Sequence, residues 1–139
     1  MNIEVRYYTK TGNSKKMAIA ISEEIEKDAL DITYNLDKDT DILFICNGIY
    51  WAGIDSKVKT FIKENASKIK LLVNISTAGI KKSSYKAMKK IAKKNNIKIA
   101  DKEFHAPGSF MGMHKNRPNS DDLLALREFV KGVIEDGRN

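Results

Sequence analysis

Tyr7-Tyr8-Thr9-Lys10-Thr11-Gly12-Asn13-Ser14-Lys15-Lys16-Met17 decides the reading of this chain. Before it, Ile3, Val5 and Tyr7 alternate with Asn2, Glu4 and Arg6, the two-residue period of a strand. After it, Met17, Ala18, Ile21 and Ile25 recur at three- and four-residue spacing, with Lys15, Lys16, Glu23, Glu24 and Lys27 between them, which predicts an amphipathic helix. Thr9 to Ser14 is therefore a strand-to-helix turn rich in hydroxyls. The first N–H groups of a helix have no intrahelical partner, and the helix dipole places partial positive charge there. Thr9, Thr11 and Ser14 add hydroxyl donors, Asn13 adds an amide, and Gly12 lets the backbone close around a ligand. Together they form a socket suited to a phosphate.

An ordinary turn in which Asn13 or Ser14 caps the helix has the same local pattern. Two other phosphate-binding solutions are excluded. The Walker spacing of Gly-x4-Gly-Lys-Ser/Thr is absent, and so is the dinucleotide Gly-x-Gly-x-x-Gly fingerprint.

Thr9-Lys10-Thr11-Gly12-Asn13-Ser14 resembles the Ser/Thr-x-Thr-Gly-Asn-Thr/Ser loop with which flavodoxins hold the phosphate of FMN. The resemblance implies that hydroxyls and amides, rather than cationic side chains, take the dianion. Lys10, Lys15 and Lys16 would add long-range attraction.

A chain of 139 residues with 42% hydrophobic content supports one domain with a real core. No apolar run approaches the ~20 residues needed to span a bilayer, so membrane insertion is not expected. Met-Asn-Ile-Glu-Val at the start is already strand-like, with no leader pattern. The lone Cys46 excludes an internal disulfide, and a cytoplasmic location is the expectation. His105 and His114 have no local partner at metal-binding spacing, and no nucleophile accompanies either one, so neither a metal site nor a hydrolytic site is expected.

Lys and Arg number 25 against 18 acids, a formal net charge of +7 that favours acidic partners. The densest stretch, residues 81–98, holds no acid and reads as a helix around Met88, Ile91 and Ala92 with lysines outside. No nucleic-acid motif is present and no aromatics interleave with the lysines, so nucleic acid is not an expected partner.

Along the chain, Ile32, Thr33 and Tyr34 suit a short polar edge strand. Asp41 to Cys46 is a continuous apolar run, as in a central parallel strand buried on both faces. After Gly48 to Gly53, Asp55 or Ser56 caps a helix carrying Val58, Phe61 and Ile62. Lys70 to Ile75 is another buried strand, ending in Ser76-Thr77-Ala78-Gly79. Ser83 or Ser84 caps the lysine-rich helix, and 97–104 forms the last strand. A long loop through Pro107, Gly108, Gly112 and Pro118 leads to a final helix capped by Ser120, with Leu123, Leu126, Phe129, Val130 and Val133 as its apolar stripe. This alternation predicts an α/β fold, a doubly wound open parallel sheet with helices on both faces. The direct step from the second strand to the third is unusual, because parallel neighbours need a crossover and here only a loop is available.

In the five-stranded order 2-1-3-4-5, ligands bind beyond the carboxyl ends of the strands at the switch between strands 1 and 3. Gly-bearing turns fall at the ends of strands 1, 3 and 4. The turn Gly48-Ile49-Tyr50-Trp51-Ala52-Gly53 sets two adjacent aromatics between glycines, and paired surface aromatics suit a flat ring partner. Either ring could instead fold back over the core.

The resemblance to flavodoxins extends here. Gly48 to Gly53 is similar to their flavin-contacting loop after strand 3, and Ser76 to Gly79 to the loop after strand 4. Short flavodoxin-family proteins also carry a Lys-Gly-Arg-Pro-Asn-x-x-Asp-Leu segment, which stands here as Lys115-Asn116-Arg117-Pro118-Asn119-Ser120-Asp121-Asp122-Leu123, with Asn116 where Gly is usual. The resemblance implies a flavodoxin-like fold and FMN held by Thr9, Lys10, Thr11, Gly12, Asn13, Ser14, Gly48, Ile49, Tyr50, Trp51, Ala52, Gly53, Ser76, Thr77, Ala78 and Gly79. It implies an electron carrier, monomeric or weakly dimeric, between redox partner proteins. Because the chain is basic where flavodoxins are typically acidic, those partners are expected to present acidic docking surfaces. Ser76 to Gly79 carries no aromatic, which leaves one flavin face open. The alternative is therefore an FMN-dependent NAD(P)H or quinone oxidoreductase, and a third reading is a fold of this kind holding another phosphate ligand or only a protein.

Overall fold

A computed structural model of the chain describes residues 1–49, 53–78, 83–108 and 116–138. Its elements are β1 (Ile3–Tyr7), α1 (Asn13–Ile25), β2 (Leu30–Asp31), β3 (Ile42–Gly48), α2 (Ser56–Asn65), a 3-10 turn (Ala66–Lys68), β4 (Leu71–Ala78), α3 (Tyr85–Lys94), β5 (Lys98–Ile99), β6 (Phe104–Pro107) and α4 (Ser120–Arg138). Among the described residues the strand pairings are parallel and the order is β2-β1-β3-β4-β5, with β6 also on β4. This is the flavodoxin-like order expected from the sequence.

Helices cover both faces because the central strands are apolar on both. Phe44, Cys46, Val73 and Ile75 meet Met17 and Ile21 of α1 and Leu126, Val130 and Val133 of α4. Leu43, Ile45 and Leu72 meet Val58, Phe61 and Ile62 of α2 and Met88 and Ala92 of α3. Burial in this apolar layer pushes the Cys46 thiol pKa far up, so the side chain is core and not a reactive thiolate.

Two strands depart from expectation. The edge strand β2 is Leu30–Asp31, ending before Thr33 and Tyr34. Asp31 ends it by accepting the Thr33 N–H on its side chain (2.9 Å) and the Tyr34 N–H on its carbonyl (3.0 Å), a turn that competes with the ladder. The expected strand over 97–104 is broken in two. Leu72 pairs Ile99 and Ile75 pairs Phe104, so β4 advances three residues while the edge advances five, and the two extra residues interrupt the ladder.

The loop between β2 and β3 serves as the crossover, and side chains hold it where a helix would otherwise pack. Arg6, only 3% exposed, donates to Tyr34 O (2.9 Å) and Asn35 O (3.2 Å). Asn65 accepts the Leu36 N–H (2.9 Å) and donates to Asn35 Oδ1 and Phe61 O. Lys68 Nζ donates to Leu36 O at 2.7 Å, and Leu36 itself is fully buried. The alternation that set Arg6 on the polar face of β1 is right, but the loop covers that face. Asn65→Ala leaves the Leu36 N–H buried without a partner, at a cost of about 1–3 kcal/mol. Urea denaturation is expected to show that loss with an unchanged m-value.

Helix caps refine the sequence assignments. Asp55 caps α2 by accepting the Lys57 N–H at 2.8 Å. Ser83 Oγ accepts the Tyr85 N–H of α3 at 3.0 Å, whereas Ser84, at the cap position, turns inward. Ser120 is already helical, and Asn119 and Asp122 cap α4 reciprocally, each side chain accepting the other's N–H (3.0 and 2.8 Å). Arg117 grips both Asp122 oxygens (2.7 and 2.8 Å), holding that carboxyl below its usual range. Asn116 adopts φ 63°, which explains why a glycine suits this position and an asparagine replaces it. The Arg117–Pro118 peptide is cis.

Candidate functional site

The carboxyl ends of β1, β3, β4 and β6 lie together at one edge, set by the register Tyr7–Cys46, Gly48–Thr77 and Ala78–Pro107. The turn after β1 crosses this edge. Gly12 sits at the N-cap of α1 with φ 91° and ψ −9°, a left-handed conformation that side chains rarely adopt. Thr9 Oγ1 closes the turn by accepting the Gly12 N–H at 2.7 Å. Gly12 holds the N-cap position and Asn13 and Ser14 already lie inside the first turn, so neither of them is the N-cap residue. Ser14 is 1% exposed, and its hydroxyl has no hydrogen-bond partner among the described residues. A buried hydroxyl without a partner is costly in an isolated fold. An acceptor arriving at the helix N-terminus satisfies it. These residues fit a phosphate dianion through a helix end with glycine at its N-cap, a glycine-turned backbone and a buried donor that has no partner among the described residues.

Neighbouring strands shape the rest. A Cβ built on Gly108 would lie 2.7 Å from Asn13 Nδ2 and 3.2 Å from Thr77 Cβ. The buried Asn13 is thus wedged between the ends of β4 and β6, and only a glycine fits behind it. Lys10 is half exposed, with Nζ 3.5 Å from Asp55 Oδ2, so its charge is turned to the cap of α2. Tyr8 donates its hydroxyl to the same oxygen at 3.3 Å, and Lys57 Nζ stands 5.7 Å from the Tyr8 ring centroid. The Lys57 N–H, aided by Tyr8 and Lys10, holds the Asp55 carboxyl below its ordinary pKa against the opposing effect of burial.

Of the other expected site residues, Gly48 ends β3, and Ser76, Thr77 and Ala78 belong to β4 and are buried, so they are strand residues and not turn residues. Ile49 follows β3 and is partly buried. Gly53, with φ 91°, returns the chain towards α2. Tyr50, Trp51, Ala52 and Gly79 lie outside the described residues. Asp55 and Gly108 belong to the site through tertiary contacts that local pattern does not reveal, although the Ala106-Pro107-Gly108 strand end hints at a close approach.

A buried polar network underlies the ends of β3 and β4 on the α3 side. Asn47 Nδ2 donates to Asn74 Oδ1 (2.9 Å), Asn74 Nδ2 to Ser84 Oγ (3.0 Å), and Ser84 Oγ to Asn47 Oδ1 (2.6 Å). Beside it, Ser76 Oγ and His105 Nδ1 share a hydrogen bond of 2.9 Å, and Ser83 donates to Glu103. His105 is exposed on β6, and partial desolvation of its ring lowers its pKa, which the Glu103 charge partly offsets. A base whose folded pKa lies below its unfolded value binds fewer protons when folded, so stability declines as pH falls from about 6.5 towards the folded pKa. His105→Gln is expected to flatten that part of the profile, read by urea denaturation at about pH 7.5 and about pH 5. An unchanged slope would remove His105 as its source.

Among the described residues no cluster of three His, Cys, Asp or Glu side chains could hold a metal, and no helix is long and apolar enough to cross a membrane.

Comparison with known proteins yields the following. No protein-family model matches the chain. The uncharacterized protein MJ0298 of Methanocaldococcus jannaschii is 27% identical over 140 residues, covering 88% of this chain and 91% of that one. Among solved structures, a flavodoxin from the domain Archaea superposes over the whole of both chains with a TM-score of 0.78 at 18% identity. The rubredoxin oxygen:oxidoreductase of Desulfovibrio gigas superposes with a TM-score of 0.72 at 14% identity, covering 99% of this chain and 36% of that one. At these identities the structural likeness establishes a flavodoxin-like fold.

Proposed function

We propose that this chain binds FMN at the edge formed by the ends of β1, β3 and β4 and carries electrons between redox proteins. The observation that carries the reading is Ser14, a buried hydroxyl without a partner among the described residues, in the first turn of a helix whose N-cap is a glycine. Thr9, Thr11, Gly12, Asn13 and Ser14 would take the phosphate, with the exposed Lys15 and Lys16 attracting it from a distance. Gly48, Ile49 and Gly53, with Tyr50, Trp51 and Ala52 between them, would flank the ring on one side. Thr77, Ala78 and Gly79 would stand on the other. Ser76 supports that segment from below through His105. When bound, FMN supplies one- and two-electron redox chemistry, and the protein supplies binding and electrostatics. The archaeal flavodoxin and the rubredoxin oxygen:oxidoreductase share this fold, which supports a redox role in general.

The second reading, an FMN-dependent NAD(P)H or quinone oxidoreductase, is favoured by the absence of an aromatic in Ser76-Thr77-Ala78-Gly79. The FMN-loaded protein is expected to oxidise NADPH or NADH no faster than free FMN does, and to be reduced rapidly only through a partner reductase. Steady turnover with NAD(P)H alone would assign the enzyme instead.

A further inference from the structure

The charge of this protein is divided by its sheet. On one face, α2 and α3 carry Lys57, Lys59, Lys63, Lys86, Lys89, Lys90, Lys93 and Lys94, all exposed, against Glu64. Among the described residues none of these eight lysines has a carboxylate within ion-pair distance. On the other face, α1 and α4 carry more carboxylates than cations, and many are paired: Arg127 with Glu23 and Glu24, Lys131 with Glu128, and Asp136 with Lys102. Spacing makes the basic face costly to the fold. Lys86–Lys90, Lys89–Lys93 and Lys90–Lys94 are four apart on α3, and like charges at that spacing destabilise a helix. A merely solvated surface would intersperse the signs.

We propose that the outer face of α3, with the adjoining edge of α2, docks an acidic protein that exchanges electrons at the site. This rests on the redox reading above and adds the surface and the partner's charge. Position supports it, because α3 begins just beyond β4, and Ser84 at its start is hydrogen-bonded to Asn47 and Asn74 of the strands that end at the site. Composition selects a protein over other anions. A membrane surface would ask for exposed apolar side chains beside the lysines, yet the large exposed ones among the described residues are Met1, Ile19, Tyr34 and Leu124, none on α2 or α3. Nucleic acid would favour arginine forks and exposed aromatics, and these helices carry no arginine, with Phe61 buried and Tyr85 partly so.

The test titrates the ¹⁵N-labelled, FMN-supplemented protein with an acidic [2Fe–2S] ferredoxin, following amide shifts in about 20 mM and about 200 mM salt. Shifts are expected on α3 and the neighbouring part of α2, with affinity falling about tenfold or more at the higher salt. The K89E/K90E variant turns each of these three Lys–Lys spacings into an opposite-charge pair, so it is expected to stay folded and to keep its flavin absorbance while losing about tenfold or more in ferredoxin affinity. Shifts confined to α1 and α4, or affinity in the variant within about twofold of the parent, would overturn the assignment. Tighter binding to mixed-sequence duplex DNA or to phosphatidylserine vesicles on the same face would overturn the choice of partner. Docking on α3 by a chain that takes up no FMN would sustain the surface and remove the redox reading. Flavin binding with no response on α3 would do the reverse.

Discussion

Thr11→Glu is expected to weaken FMN binding by about 10²- to 10³-fold. Thr11 lies on the surface of the turn between Thr9 and Gly12, so the longer side chain displaces no core atom and the fold should be kept. The effect comes from charge. Two unit charges about 4 Å apart repel by about 4 kcal/mol at the effective dielectric near a protein surface, and a phosphate carries nearly two. Solvent at an exposed position screens part of this, leaving about 3–4 kcal/mol, which corresponds to the fold-change stated. Thr11→Ala removes only one neutral donor, at about 1 kcal/mol, or roughly fivefold. Titration followed by quenching of flavin fluorescence separates the two variants. Equal losses would mean that the turn does not face the phosphate.

Phe44→Ala is expected to lower stability by about 3–5 kcal/mol, the usual cost of removing a buried aromatic and leaving a cavity. Phe44 is wholly buried in the second of three adjoining parallel strands, paired in register with Val5 on one side and Val73 on the other. Met17, Ile21, Leu126 and Val130 belong to the same apolar cluster, so α1 and α4 close over the layer that contains it. Neither helix can move into the space without breaking its packing on the sheet. Chemical denaturation measures the loss. A cost below about 1 kcal/mol would mean that α1 and α4 repack freely, against the close packing described.

Much of this fold is visible in local pattern because its central strands are extreme. Ile42 to Cys46 and Leu72 to Ile75 are buried on both faces, so their runs are nearly unbroken by polar residues and could hardly be read otherwise. The edges are less visible, since little burial disciplines them. At β2, Asp31 has a choice between ladder and turn, and its own side chain decides for the turn. In the last strand, two extra residues between Ile99 and Phe104 have no local signature, because register is a property of the pair and not of the strand. Arg6 teaches the same lesson. Its alternation places it on a polar face, and only the crossover loop shows that the face is covered.

The candidate site divides along the same line. The turn from Thr9 to Ser14 is contiguous, so the hydroxyls and glycine of the proposed phosphate socket stand together in the sequence. Lys10 stands in that turn, yet Asp55, distant in sequence, draws its charge aside. Gly108 reads as one glycine in a long loop until Asn13 is found against it. Ser76 to Ala78 read as a turn because they are small and polar, but Asn47, Asn74, Ser84 and His105 supply the hydrogen bonds that let such residues continue a buried strand.

The role proposed for the turn after β1 is to hold the phosphate of FMN. Parallel titrations with FMN and with riboflavin, followed by the visible spectrum and by fluorescence quenching, test it most directly. Two or more charge-assisted hydrogen bonds to the phosphate predict that FMN binds at least about a hundredfold more tightly than riboflavin, with a structured and shifted flavin band. A protein that binds the two equally, or stays colourless with both, would contradict the claim and leave a flavodoxin-like fold whose socket serves another end.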